Sequence, residues 1–402
     1  MTPRRFANAL ALLLVCAHVG LPSTVRAQPG SDAIVIGERL KLESAVLEET
    51  RPLLIAKPDG YETGTEHYPV LYLLDGDAHF HHTTGMVSFL ADSGRIPPML
   101  VVAIPNNSRS RDFTPPTQSE MDIRFTPISG GADNFLRFLS DELMPYVERT
   151  YRTRPYRILV GHSLGGLFAL HALVTRPELF NSYIAIDPSL QWNDQALVSQ
   201  ADVFFKKTRE LNADLYMTGT SGGGLSLGGL RKLAGVLEEK VPEGFRWRLQ
   251  LLPEEDHVST PHLSTYYALD TIFDGWHLAD PFGLYEKGGL AAIHRHFEEG
   301  GKRFGYERET SPFMISMVVH GLLQAGRLEE AATVLLHDRQ RYPPPWNQLD
   351  ALARRYAERG DTERVIHYYM LSLRENLLNN WARKKLTELG VDVDAALARP
   401  AE

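Results

Sequence analysis

Between about residue 32 and residue 280, short apolar runs alternate with stretches of helical period. Val70–Leu74, Met99–Ile104, Ile158–Val160, Tyr183–Ile186, Leu215–Met217 and Trp247–Leu252 are continuous apolar runs bounded by turn residues. Such runs predict strands covered on both faces. Ala33–Gly37 and Ser44–Lys57 alternate only in part and predict antiparallel strands. Asn134–Arg149 places Leu136, Leu139, Leu143 and Val147 on one stripe, and Leu167–Leu173 and Thr260–Trp276 predict further helices. Strand–helix alternation of this kind predicts an α/β domain over 32–280, with a mostly parallel central sheet and helices on both faces.

From Pro281 the β signal fades, and residues 285–402 predict a small all-α domain. Ala325–Ala331 recurs loosely as Arg359–Val365, with Gly326 and Gly360 spaced 34 residues apart. That is the tetratricopeptide period of one helix–turn–helix unit. Asn380–Leu389 predicts a capping helix. A helical tail packed on the larger domain is the competing reading, and a protein partner bound by the tail is the functional expectation if it forms a groove.

The beginning of the chain changes the picture of where it works. Arg4 and Arg5 precede an apolar stretch from Ala9 to Leu21, and Val25-Arg26-Ala27 offers small residues at −3 and −1 of a cleavage site. This predicts a secretory signal peptide over 1–27 and an exported protein, periplasmic or secreted. Cys16, the single cysteine, would leave with it, so no disulfide is expected. Losing Arg4, Arg5 and Arg26 would take the net charge from −8 to −11. An acidic balance spread along the chain argues against a nucleic-acid binder. With 43% hydrophobic and 23% charged residues, the composition is that of a folded globular protein, and no run is long enough for a membrane span.

The candidate chemistry centres on Ser163. Ile158–Val160 runs into Gly161-His162-Ser163-Leu164-Gly165, a G-x-S-x-G sequence between a strand and a helix. A turn that tight excludes flanking side chains, exposes the serine hydroxyl and aims a helix N-terminus at developing negative charge. The order of elements is that of an α/β-hydrolase fold, in which the base is a histidine after the last strand. His257 holds that position; His262, inside the next helix, is its competitor. Oxyanion donors are expected at the Leu164 amide and at an amide of Gly76 or Asp77, in the turn after Val70–Leu74. The acid is expected after Leu215–Gly219, but Thr220–Gly224 contains no carboxylate. Asp187, Glu254, Glu255 and Asp256 are the candidates, and a Ser–His dyad is the alternative.

Two other patterns are set aside. Asp77–His82 looks like a metal cluster but lacks matching distant ligands, so no metal is expected. Gly222–Gly224 with Gly228-Gly229 lacks the Lys-Ser/Thr of a phosphate loop. No cofactor is expected.

Tyr68–Gly76, Ile104-Pro105-Asn106, Arg111–Pro115, Gly161–Gly166, Pro188–Trp192 and Glu255–Ser259 occur in order, and together they resemble the putative-esterase family of enterochelin and esterase D type hydrolases. The resemblance covers roughly 34–278. It implies an α/β-hydrolase fold with Ser163 as nucleophile, His257 as base and the Asp75-Gly76 loop as oxyanion donor. Relatives carry an acidic residue in the loop after Gly219, which this chain does not. Arg109, Arg111 and Trp192 are candidate substrate-binding residues, with surface salt bridging the competing role for the arginines. The function expected is an exported serine esterase acting on small carboxylic esters, siderophore-type esters among them, through an acyl-enzyme. An acyltransferase of the same fold and a non-catalytic binding or scaffold protein are the alternatives.

Overall fold

A computed structural model describes residues 34–222, 224–337 and 343–398. The expected signal peptide lies outside the described residues, as does Gly223. From Ile36 onward the described chain forms one compact unit. Its strands are β1 (Glu38–Ser44), β2 (Glu49–Ala56), β3 (Tyr68–Leu74), β4 (Leu100–Ile104), β5 (Thr153–His162), β6 (Ser182–Ile186), β7 (Asp214–Gly219) and β8 (Arg246–Leu251). They form one sheet in the order β1-β2-β4-β3-β5-β6-β7-β8. β1 and β2 pair antiparallel, as does β2 with β4, and every pair from β4 to β8 is parallel.

The alternation of side chains lets each central strand feed two cores. In β3, Val70, Tyr72 and Leu74 join one apolar cluster while Leu71 and Leu73 join the other, and the whole strand is buried. On the first face lie α2 (Arg109–Phe113), α4 (Ala132–Phe138), α5 (Met144–Thr150), α6 (Leu164–Thr175), α7 (Trp192–Lys207) and α8 (Gly224–Glu239), which bury Phe113, Phe135, Val147, Phe168, Leu197 and Leu230. The opposite face is covered by α1 (Gly76–Asp92) and α9 (Thr260–Ile272), through Leu90 and Leu269. A short helix, α3 (Glu120–Phe125), buries none of its residues.

Two expectations change. The Ala33–Gly37 strand is absent from its described residues, and the strand is Glu38–Ser44, where Leu40 and Leu42 alternate with charged neighbours and pack on the core. Trp247–Leu252 was expected to be covered on both faces. β8 is instead an edge strand with no buried residue, its Arg246 and Arg248 supplying the charge that discourages further pairing. The His-rich Asp77–His82 stretch is the first turn and a half of α1.

Beyond the sheet the chain is helical: α10 (Pro281–Arg303), α11 (Pro312–Gln324), α12 (Leu328–Leu335), α13 (Trp346–Glu358), α14 (Thr362–Glu375), α15 (Asn380–Glu388) and α16 (Val393–Leu397). These helices share an apolar cluster of their own. Gly326 and Gly360 take the same left-handed turn, with φ of 72° and 75°, before α12 and α14. The Asp361 carboxylate accepts the Arg364 amide and caps α14. The end of α10 is anchored on the sheet domain: Phe304 packs edge-on against Tyr156 and Trp276 and at 4.7 Å from Phe273. Among the described residues no helix is long and apolar enough to cross a membrane.

Candidate active site

β5 ends in a turn too tight for any side chain at residue 161. A Cβ on Gly161 would lie 2.1 Å from the Gly165 carbonyl oxygen. Ser163 is thereby held at φ 60° and ψ −115°, immediately before the first residue of α6. Its amide donates to the Ile186 carbonyl at 2.9 Å, and its carbonyl accepts the Ser189 amide at 3.0 Å. The two hydroxyls, Ser163 Oγ and Ser189 Oγ, are 3.2 Å apart. Ser189 belongs to the loop after β6, whose first residue, Asp187, is also left-handed (φ 39°) and buried. Such conformations cost a non-glycine residue energy and persist where the surroundings over-determine them.

That loop brings one of the four candidate acids to His257. Asp187 Oδ2 lies 2.7 Å from His257 Nδ1 and accepts the Thr220 hydroxyl at 3.3 Å. His257 follows β8 and is half exposed, with a side-chain accessibility of 51%. The other three acids serve elsewhere. Glu254 is exposed. Glu255 accepts from the Ser259 hydroxyl. Asp256 accepts the Val258 and Ser259 amides at the start of α9, and those donors hold its carboxyl below the usual range. The position where fold order places the acid carries Thr220, which reaches Asp187 from the neighbouring strand. Sequence reasoning included Asp187 but assigned no role to Thr220 or Ser189; Ser189 stood inside a quoted motif, without any spacing rule to single it out.

The oxyanion candidates come from two helix starts, whose first N–H groups have no intrahelical acceptor. Leu164 opens α6 and Gly76 opens α1. Gly76 must be glycine because a Cβ there would meet the Ile104 nitrogen at 2.8 Å. Asp75, left-handed and buried, precedes it. Its carboxylate accepts Asn106 Nδ2 at 2.6 Å, Arg109 Nε at 2.6 Å and Arg109 Nη2 at 2.9 Å. The same guanidinium donates to the His162 carbonyl at 3.0 Å. Arg109 therefore ties the β3–α1 turn to the serine turn. Arg111 pairs with Glu49 and Asp112, and the Trp192 ring is buried with its Nε1 donating to the Pro115 carbonyl. All three candidate substrate-binding side chains are thus engaged within the protein.

Four more histidines line up beside His257. Ring centroids are 4.5 Å apart for His257 and His162, 5.7 Å for His162 and His79, and 5.4 Å for His82 and His262. His79 Nδ1 and His82 Nε2 are 3.1 Å apart. His262 thus sits at the far end of the row from His257, on α9. Among the described residues no group of three or more His, Cys, Asp or Glu is arranged to hold a metal ion. Burial disfavours the imidazolium and pushes His162 and His82 each down to about 4, and lowers His79 as well. The unfolded chain takes up these protons near 6.5 and the folded chain only near 4. Their contribution to stability is therefore full above pH 6.5 and is lost as the pH falls toward 4. The melting temperature should drop across that window by calorimetry, and less in a His82→Gln/His162→Asn double variant. An undiminished drop in the double variant would contradict the assignment.

Comparison with known proteins places the chain in a family. A family model described as "Putative esterase" matches residues 44–239. The ferri-bacillibactin esterase BesA of Bacillus subtilis is 35% identical over 200 residues, which are 46% of this chain and 67% of that protein. The chain belongs to the putative esterase family. A siderophore triacetylfusarinine C esterase of Aspergillus fumigatus is 35% identical over 166 residues, 38% of this chain and 54% of that protein. The crystal structure of an IroE-like serine hydrolase from Shewanella oneidensis superposes with a TM-score of 0.62 at 28% identity, covering 74% of this chain and 97% of that one. The chain is thus a carboxylic ester hydrolase on an α/β-hydrolase fold, continued by a helical C-terminal region.

Proposed function

We propose that this esterase is exported and cleaves siderophore-type esters through an acyl-enzyme on Ser163. The observation that carries the reading is the 2.7 Å contact between His257 Nδ1 and Asp187 Oδ2, on the loop that also holds Ser189 against Ser163. A carboxylate there fixes the Nδ1–H tautomer and leaves Nε2 free as the base. Nε2 takes the Ser163 proton as Oγ attacks the ester carbonyl, and the C–O bond forms. The tetrahedral oxyanion rests on the Leu164 amide and on an amide of the Gly76–Asp77 turn. The tetrahedral species collapses with loss of the alkoxide, which takes the proton back from His257. Water, deprotonated by the same nitrogen, then attacks the acyl-enzyme and releases the acid. His162, His79 and His82, held neutral by burial, add no fixed positive charge against the imidazolium that forms.

The substrate class is supported by the two relatives above, both named for siderophore esters. Export is supported by the Arg4–Ala27 residue pattern. Incubation with a catecholate trilactone, followed by chromatography, should release the linear catecholate acid. Turnover of p-nitrophenyl acetate with no cleavage of the trilactone would remove the siderophore class and leave a general esterase.

A further inference from the structure

The segment between β4 and α4 carries an apolar surface that the catalytic reading does not use. Helix α3 buries no residue, yet Met121, Ile123 and Phe125, with Ile128 just beyond, are large apolar side chains between 51% and 74% exposed. Met121 and Phe125, four positions apart, share one face of the helix, with Ile123 on the other, and a folded domain rarely leaves such an exposed apolar face without a use.

Its place follows from the sheet order. At one end, Arg109, just after β4, reaches Asp75 and the His162 carbonyl. At the other, the segment is fastened beyond β6: Trp192 Nε1 donates to the Pro115 carbonyl, the Asn193 amide donates to Asp122 Oδ2 at 2.7 Å, and the Gln118 amide donates to Asn193 Oδ1 at 3.0 Å. In the order β4-β3-β5-β6, a segment held at β4 and at β6 passes the carboxyl ends of β3 and β5, where Gly76 and Ser163 stand. The fastening point is itself unusual. Asn193, Asp194 and Gln195 are three consecutive non-glycine residues in the left-handed region, with φ of 48°, 52° and 68°. Such runs are unfavourable for L-residues and cluster at functional sites. The turn begins four residues after Ser189, at the start of α7 and directly after the loop that carries Asp187.

We propose that Met121 and Phe125 form an apolar substrate wall on the rim of the Ser163 site, which binds the hydrophobic acyl or alcohol portion of the ester. The proposal rests on the esterase reading above. An ester whose carbonyl sits at Ser163 must lay its remaining atoms on the rim, and this wall is continuous with the loop that positions the nucleophile. Each methylene laid against it leaves water, so the wall favours long or aryl-bearing esters over acetyl or ethyl ones.

The test compares the parent enzyme with a Met121→Ser/Phe125→Ser variant. kcat/KM is measured along p-nitrophenyl esters from acetate to octanoate, and along alkyl acetates from ethyl to octyl. The parent should gain with chain length in at least one series. In that series the variant should lose about tenfold in the ratio of octyl to shortest substrate. Both side chains are exposed, so the melting temperature should stay within about 2 °C and folding loss is separable. Unchanged ratios in both series, or a parent indifferent to length, would overturn the wall. A parent dimer that becomes monomeric in the variant with both ratios unchanged would overturn it in favour of a second copy on this face. No hydrolysis of either series by the parent would instead sink the esterase reading itself.

Discussion

Replacing Ser163 with alanine is expected to lower kcat for ester hydrolysis by about 10⁶ while the melting temperature hardly moves. The expectation follows from how little the hydroxyl does for the fold. Ser163 owes its position to backbone bonds to Ile186 and Ser189 and to the close approach of Gly161 and Gly165, all of which an alanine keeps. Among the described residues its Oγ makes one side-chain hydrogen bond, with Ser189 Oγ at 3.2 Å. Removing Oγ removes the atom that bonds to carbon, and the neighbouring Ser189 is a buried residue that does not replace it. Activity within tenfold of the parent, measured with p-nitrophenyl acetate after purification free of host esterases, would place the nucleophile elsewhere.

The second large effect is expected at Asp187. An Asp187→Asn substitution keeps the shape but turns an acceptor facing His257 Nδ1 into a donor, which favours the wrong ring tautomer. The loss in kcat should be about 10⁴. Glu254→Ala, Glu255→Ala and Asp256→Ala should each stay within about threefold, because Glu254 is solvent-exposed and the other two bond within their own turn. The readout is kcat against pH. A tautomer defect lowers the plateau at every pH, whereas general loosening of the site would raise KM as well. If Asp187→Asn stays within tenfold of the parent, a Ser–His dyad carries the reaction and the 2.7 Å contact is structural only.

What could be read from the sequence divides along physical lines. The serine turn was legible because its chemistry is local: strand, two glycines and helix are contiguous, and the steric demand at Gly161 is met within five residues. His257 was legible by its place after the last strand. Asp187 could be named only as one of four, because it meets a partner 70 positions away through the sheet order. The usual site for the acid carries Thr220, and nothing in the sequence says that Thr220 reaches the loop of the neighbouring strand. Arg109 and Arg111 looked available for an anionic substrate for a similar reason. Two of their partners, Asp75 for Arg109 and Glu49 for Arg111, become neighbours only when β2, β3 and β4 are aligned, while Asp112 follows Arg111 directly in the chain. Apolarity alone misplaced the first strand. Ile34, Val35 and Ile36 are exposed, whereas the polar-looking Glu38–Ser44 supplies Leu40 and Leu42 to the core on alternate positions. The histidine row was invisible because α1 and α9 are far apart in the chain and meet on one face of the sheet.

The most direct test of the account is to trap the covalent intermediate. Parent enzyme mixed with p-nitrophenyl butyrate and acid-quenched during the first turnover should gain the mass of one butyryl group. Peptide mapping should place that mass on the peptide containing Ser163. The gain should be absent from Ser163→Ala, and it should accumulate to lower occupancy in Asp187→Asn, where formation of the acyl-enzyme is slowed. An adduct on another residue, or steady hydrolysis with no adduct on Ser163 at any quench time, would contradict the acyl-enzyme and the roles given to Ser163, His257 and Asp187.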